Sequence, residues 1–320
     1  MCTAISEAYN GHLFGRTLDL EYSLNESVCI VPRGYALEFL QESAVASYAI
    51  IGACHLSNGT PLFYDAMNEH GLCMAALNFP SYAKYNEVKG GMINVASYEL
   101  IAFILRQCKD TGEAVSLLKR INITNQCFSD ALPCTPLHFI IADRGGCFVI
   151  EPRESGLEIY ENPLRTMTNA PPFPYHMTNA CNYMGLSSYE QKSTLARDFE
   201  FKAYSRGMGA IGLPGDFSSP SRFVRALFMK NHASYDDDEI RRFFSILNTV
   251  CIPFGCVKTD TGKDVWTVYS SCMNSETGNY YFSLYGSKRV LCVRLYDVNL
   301  DSSTLFCYEM KCDNEYKFLN

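Results

Sequence analysis

Short apolar-rich, strand-like runs occur at both ends of the chain and through its middle, and apolar positions change to helical spacing between those blocks. Strand-like runs cover residues 3–8, 12–18 and 28–32, then 47–54 and 71–77. Leu100, Ile101, Ile104 and Leu105 recur at helical spacing, which predicts a helix across 95–108. Asp110 with Glu113 three residues later has the form of a capping box, opening a second helix that runs through Leu118. Strands return at 137–142, 147–151 and 156–160. Ser219-Pro220 reads as an N-cap and first helical position for a helix through Lys230. The segment 236–239 opens another, through Leu247. The end of the chain is strand-rich again, at 265–270, 280–284 and 289–294. Antiparallel-looking strands in blocks, separated by pairs of helices, predict a layered α+β domain. No internal repeat, low-complexity tract or linker interrupts the pattern.

The first two strands carry a sharper expectation. Asn10-Gly11 is a strong two-residue hairpin signal, because both turn positions favour φ > 0. A turn there pairs Tyr9 with His12, Ile5 with Arg16 and Cys2 with Asp19. Asp19 then faces the amino terminus across the ladder, where a carboxylate can hold an ammonium. Strict alternation sends Arg16 to the opposite face, so its service at the same site requires the strand to bulge or end before Asp19. Otherwise Asp19 is a strand-end carboxylate and Arg16 a solvated charge.

Composition narrows the function classes. The chain has 320 residues, 48% hydrophobic and 19% charged, an ordinary globular make-up with length for one large domain or two smaller ones. A net charge of −7 without a basic run of five argues against nucleic acid or anionic membrane as a main partner. No apolar stretch approaches the roughly 20 residues of a membrane span. Fifteen cysteines form no Cys-x-x-Cys pair; the closest spacings are Cys251/Cys256 and Cys307/Cys312, and the six histidines stand apart from them. That pattern predicts no structural metal. With no export signal at the start, most of the cysteines are expected to be reduced core thiols.

The candidate chemistry begins at the second residue. In Met1-Cys2-Thr3, cysteine is small enough for an aminopeptidase to remove the initiator methionine. Cys2 would then carry a thiol nucleophile and a free α-amine able to accept its proton. Leu77-Asn78-Phe79-Pro80 places an amide at a strand end, and Thr168-Asn169-Ala170-Pro171-Pro172 places another before a rigid proline turn. Amides and backbone N–H groups in such positions serve as oxyanion donors, or as turn caps. Gly212-Leu213-Pro214-Gly215-Asp216 is a constrained loop leading into a helix bearing Arg222, with Arg225 on nearly the same face.

Read in order, these segments resemble the choloylglycine hydrolases, a family that includes bile salt hydrolases and penicillin V acylases. The likeness runs from Cys2-Thr3 through Phe14-Gly15-Arg16-x-x-Asp19, Met67-Asn68-Glu69-x-Gly71-Leu72, Asn78, Asn169 and the Gly212–Asp216 loop to Tyr269-Ser270-Ser271-Cys272-Met273. The resemblance implies a four-layer αββα amino-terminal-nucleophile hydrolase fold spanning 2–320 as a single domain. It also implies roles: Cys2 as nucleophile with its amine as base, Arg16 and Asp19 ordering amine and thiol, Asn169 and the Asn78 N–H as oxyanion hole, and Arg222 as the charge that steadies the thiolate. It predicts a local irregularity between Arg16 and Asp19. No metal or organic cofactor is implied. Asn at position 78 and the Leu20-Glu21-Tyr22-Ser23 stretch are similar to the bile-salt branch, with Leu18, Leu20, Tyr64 and the 128–137 loop as an apolar wall for a steroid. Arg206, in Ser205-Arg206-Gly207, is expected to meet the glycine or taurine end of a conjugate. The family habit implies a homotetramer in a bacterial cytoplasm. Two alternatives remain: an acylase for penicillin V or another N-acyl amide, and a non-catalytic steroid- or lipid-binding homologue.

Overall fold

The computed structural model describes residues 1–42, 48–193, 195–234, 238–287 and 289–311. In chain order the strands are β1 (Cys2–Glu7), β2 (Leu13–Leu20), β3 (Ser27–Val31), β4 (Ile50–Ser57), β5 (Thr60–Asn68), β6 (Cys73–Asn78), β7 (Ile93–Ala96), β8 (Ile121–Thr124), β9 (Leu137–Ala142), β10 (Cys147–Arg153), β11 (Gly156–Glu161), β12 (Thr166–Met167), β13 (Val257–Lys258), β14 (Asp264–Asn274), β15 (Asn279–Leu284), β16 (Leu291–Arg294) and β17 (Phe306–Glu309). The helices are α1 (Leu100–Leu105), α2 (Thr111–Leu118), α3 (Phe173–Ala180), α4 (Ser219–His232) and α5 (Glu239–Asn248).

Two antiparallel sheets dominate. One runs β12-β1-β2-β14-β15-β16, with β13 added to β14; the other runs β11-β10-β9-β6-β5-β4-β3-β17. Alternation along each strand supplies two apolar faces, and each face finds its own partner. Cys2, Ala4, Phe14 and Leu18 of the first sheet pack against Ile51, Ala53, Met67, Ala75 and Ile140 of the second. The outer face of the second sheet is covered by α1 and α2. The outer face of the first, with Ile5, Leu13 and Cys272, is covered by α4 and α5 through Ala226, Phe243, Phe244 and Leu247. The result is the expected αββα sandwich. A buried ion pair, Arg242 with Glu7, ties α5 to β1.

The terminal hairpin differs from its prediction by one residue. β1 and β2 pair Glu7 with Leu13, Ala4 with Arg16 and Cys2 with Leu18. Residues 8–12 form the connection, so the turn is longer than a two-residue Asn-Gly hairpin. A one-residue slip exchanges the faces of a whole strand. Arg16 and Leu18 therefore share the inner face with Cys2, and Asp19 turns to the helix-covered face, opposite Met1 rather than Cys2. Gly15 is needed here: a Cβ at this position would lie 2.0 Å from the carbonyl oxygen of Ser271 and 2.8 Å from the Phe243 ring.

The predicted helix over 95–108 divides into strand β7, parallel to β8, and the shorter α1. Glu99 stops the strand by accepting the N–H groups of Ala96 and Leu40. Asp110 caps α2 through the Glu113 N–H as expected, but Glu113 returns its bond to Lys109 rather than to Asp110. The N-cap of α4 is Ser218, one residue earlier than predicted. Position 47 of one predicted strand and Asp236 of one predicted helix start lie outside the described residues. Cys29–Cys307 joins β3 to β17 and Cys127–Cys134 closes the loop before β9, so these four are not reduced thiols, while Cys54, Cys73, Cys108, Cys147 and Cys272 are free and buried.

Candidate active site

Cys2 begins β1 at the inner face and is 2% exposed. Its backbone nitrogen donates to Asn169 Oδ1 at 2.7 Å. Arg222, buried at the start of α4, converges on the same place. Its Nη1 donates to the Cys2 carbonyl at 2.5 Å and to Thr3 Oγ1 at 2.7 Å, and its Nη2 donates to Asn169 Oδ1 at 2.8 Å. With Oδ1 taking two donors, the amide orientation of Asn169 is fixed, and Nδ2 donates to the Asn78 carbonyl at 2.7 Å. One amide proton of Asn169 is thereby spent on β6, and the same nitrogen carries a second N–H donor. The residue's main chain is pinned as firmly, since its carbonyl accepts from His176 Nε2 and Ser219 Oγ, each at 2.9 Å.

Arg222 is held in low-dielectric surroundings. Burial lowers its pKa, and the charges of Asp19 and Cys2 act against that. Asp19 Oδ2 lies 4.0 Å from Nη1. The Asp19 carboxylate accepts from Thr267 Oγ1 at 2.6 Å and Thr17 Oγ1 at 3.2 Å. Its main chain pairs with Met1: the Asp19 N–H donates to the Met1 carbonyl, and the Met1 amine donates to the Asp19 carbonyl at 2.5 Å. Asp19 thus meets the amino terminus through its backbone, while its side chain works on Arg222. The Asp19 carboxylate, expected to face the amino terminus, is bonded to Thr267 and Thr17, and the Cys2 N–H is taken by Asn169 Oδ1.

The irregularity expected between Arg16 and Asp19 lies in the neighbouring strand. β2 is continuous, but β14 pairs Thr267 with Asp19 and Tyr269 with Leu18, leaving Val268 as an extra residue. This bulge lets Thr267 reach the outer face under Asp19 while Tyr269 points into the space between the sheets. A second bulge sits at Tyr64, where Asp65 pairs with Ala53 and Phe63 with Cys54. The Tyr64 carbonyl is freed from the ladder and accepts Arg16 Nη1 at 3.0 Å; the same nitrogen donates to the Ala76 carbonyl at 2.5 Å. The β5–β6 ladder ends at Asp65–Ala75, so Arg16 bridges the two strands where their own pairing stops. The guanidinium is fully buried. Burial disfavours its charge, yet Cys2, Tyr269, Asp65 and Asp19 together hold its pKa above the usual arginine value.

The six predicted catalytic positions therefore fall in one region, drawn from β1, β2, β6, the loop after β12 and α4. Leu18 is cross-strand from Cys2, and Leu20 and Tyr64 pack on the same core cluster. Arg206 stands exposed on the 184–211 excursion, with no side-chain hydrogen bond or ion pair to another described residue. Arg225 holds the Gly212–Asp216 loop, donating to the carbonyls of Pro214, Asp216 and Thr249. Sequence reasoning assigned no site role to Thr17 and Thr267, which bond Asp19, to His176 and Ser219, which bond Asn169, or to the buried Asp65, Tyr269 and Tyr280. No group of three or more metal-binding side chains occurs among the described residues.

Comparison with known proteins bears on this geometry. The family model for linear amide C–N hydrolases of the choloylglycine hydrolase family matches residues 2–308. The chain is 40% identical to the bile salt hydrolase/transferase of Lactiplantibacillus plantarum, with both chains covered in full. It is 33% identical to that of Clostridium perfringens over 97% of each. A solved mutant conjugated bile acid hydrolase from Clostridium perfringens superposes over 100% of both chains with a TM-score of 0.91 at 31% identity. Penicillin V acylase from Agrobacterium tumefaciens shares the fold, with a TM-score of 0.75 at 18% identity over 97% of this chain and 92% of that one.

Proposed function

Because this chain belongs to the choloylglycine hydrolase family of linear amide C–N hydrolases, we propose that it is a bile salt hydrolase that cleaves glycine- and taurine-conjugated bile acids at the amide bond through Cys2. The observation that carries the reading is the convergence of Asn169 Oδ1 on the Cys2 nitrogen at 2.7 Å and of Arg222 on the Cys2 carbonyl at 2.5 Å. An ordinary second residue has no need of a buried arginine and a twice-anchored amide.

Removal of Met1 turns the Cys2 nitrogen into an amine already hydrogen-bonded to Asn169. An α-amine has a reference pKa of about 7.7–8.0, close to neutral pH. The amine takes the thiol proton, and the thiolate attacks the amide carbonyl carbon. The second N–H of Asn169 and a backbone N–H at Asn78 bind the oxyanion that forms. The ammonium protonates the departing glycine or taurine nitrogen as the C–N bond breaks, leaving a thioester on Cys2. Water, deprotonated by the same amine, attacks the thioester and releases the bile acid. Arg222 and Asp19 keep the amine, carbonyl and Asn169 in register, and Arg16 adds positive charge beneath the thiolate. Asn169→Ala removes one oxyanion donor and one anchor of the amine, and is expected to lower kcat on glycocholate by about 10²–10³-fold, read by product release.

Leu18, Leu20, Tyr64 and the 128–137 loop form the apolar wall of the steroid pocket, and Arg206 meets the carboxylate or sulfonate of the leaving group. Glycocholate, taurocholate and penicillin V assayed side by side test the substrate class. Turnover of the two bile salts supports it, whereas turnover of penicillin V alone keeps the mechanism and overturns the pocket. Arg206→Ala is expected to change the glycine-to-taurine ratio with little effect on stability; an unchanged ratio removes Arg206 from the pocket. Residues 2–320 act as one domain, supported by a core cluster that draws on both sheets. Homotetramer assembly belongs to the same proposal. Its support is the 184–211 excursion, where Met184, Tyr189, Leu195 and Tyr204 are each at least 80% exposed. No helix among the described residues is long and apolar enough to cross a membrane, and a cytoplasmic location is proposed with the rest.

A further inference from the structure

The space between the sheets contains a carboxylate to which the mechanism above gives no role. Asp65 lies on β5 and is fully buried. Its two oxygens accept from two phenols of the opposite sheet, Oδ2 from Tyr269 at 2.5 Å and Oδ1 from Tyr280 at 2.6 Å. Neither phenol is exposed. With both oxygens acting as acceptors of short bonds, the group is built to carry negative charge. Tyr269 reaches it only because the bulge at Val268 turns that side chain inward.

Arg16 crosses the same interface in the other direction. Its Nη1 takes the carbonyls of Tyr64, adjacent to Asp65, and of Ala76, adjacent to the Ala75 that pairs with Asp65. Its own N–H donates to Ser271 Oγ, and that hydroxyl also faces Asp65. Arg16 Nη2 is buried without a hydrogen-bond partner among the described residues. The two charges do not form a direct ion pair, but they sit in one apolar compartment beside Cys2, where screening is weak. Burial raises the Asp65 pKa above the ordinary carboxylate value, and the Arg16 charge with the hydroxyls of Tyr269, Tyr280 and Ser271 opposes that without cancelling it. Other titratable groups around Asp65 are the buried thiols of Cys54 and Cys73. Those around Cys2 are Arg16, Asp19 and Arg222.

We propose that Asp65 is a positioning residue of the hydrolytic site, a carboxylate that shares the Arg16 compartment and offsets that arginine's charge from within it, so that the Cys2 thiol and amine experience only part of it. The proposal rests on the reading of Cys2 as nucleophile. Removing this negative charge strengthens the net positive field at Cys2, which favours the thiolate and disfavours the ammonium, so both groups titrate at lower pH.

The test uses full-length Asp65→Asn with Met1 removed. The rate of Cys2 alkylation by iodoacetamide is followed against pH by mass of the amino-terminal peptide, with the pH profile of kcat/KM on glycocholate in parallel. The alkylation midpoint is expected to fall by about one pH unit, a roughly tenfold rise in thiolate at a fixed pH below both midpoints. The acid limb of kcat/KM moves with it, and KM changes little. A folded variant with unchanged midpoints overturns the proposal. A shifted alkylation midpoint in a protein that does not hydrolyse bile salts supports the Asp65 coupling and contradicts the substrate reading. Should Asp65→Asn fail to fold, melting temperatures decide. Arg16→Leu strands the carboxylate, and Arg16→Leu with Asp65→Asn is expected to melt higher than Arg16→Leu alone. A further loss in the double variant overturns the proposal.

Discussion

Cys2→Ala is expected to stop release of glycine and taurine from conjugated bile acids, a fall of at least about 10⁴-fold in kcat, because it removes the nucleophile and leaves only the α-amine base. The fold should survive. The thiol is small, and its removal from a 2% exposed position costs only the modest penalty of a shortened buried side chain. The variant should therefore melt close to the parent and keep its circular dichroism. Substrate should still bind, because the apolar wall of Leu18, Leu20 and Tyr64 is untouched, and equilibrium binding of glycocholate to the inactive variant measures this. Residual turnover within tenfold of the parent would remove Cys2 from the chemistry and leave Arg222 and Asn169 without a purpose.

The second large effect concerns stability and activity together. Arg222 and Asp19 are both fully buried, 4.0 Å apart, and Arg222 also supports three main-chain or side-chain oxygens around Cys2. Arg222→Leu leaves the Asp19 carboxylate buried with only two hydroxyl donors. Breaking one side of a buried pair costs about 3–5 kcal/mol, so the denaturant midpoint should fall sharply and activity should be lost. Adding Asp19→Asn to this variant removes the stranded charge and should recover part of the stability, but none of the activity, because Asn169 Oδ1 and the Cys2 carbonyl still lack the arginine that joins them. Urea unfolding of the parent, both single variants and the double variant gives the coupling directly. Strictly additive losses would mean that Asp19 does not act through Arg222.

Much of the layered fold can be read from local patterns. Strand β9 spans 137–142 as predicted, because its apolar run is bounded by Pro136 and by the turn after Asp143. The capping signal at Asp110 is equally local. The hairpin at the amino terminus shows where local reading stops. Asn10-Gly11 marks a turn, but not how many residues close it, and one residue decides which face Arg16 occupies. The bulges at Val268 and Tyr64 are invisible in the same way, since each exists only relative to a partner strand. The motif resemblance singled out Cys2, Arg16, Asp19, Asn78, Asn169 and Arg222, which the fold brings into one region. It did not give the means by which they meet. Asp65, Tyr269 and Tyr280 come from strands 200 or so residues apart, and their triad is a product of sheet stacking that no spacing in the sequence records. The division of 95–108 into β7 and α1 has a similar origin, in the pairing of β7 with β8 and the turn held by Glu99.

The central claim is that Cys2, freed of Met1, becomes acylated by the bile acid. The direct measurement is the mass of the amino-terminal peptide after mixing the enzyme with excess glycocholate and quenching in acid within a turnover. The account predicts a peptide that begins at Cys2 and carries one choloyl group as a hydroxylamine-sensitive thioester, with no such adduct after Cys2→Ala. A fully active enzyme whose peptide still begins at Met1, or an acyl group carried elsewhere in the chain, would contradict it.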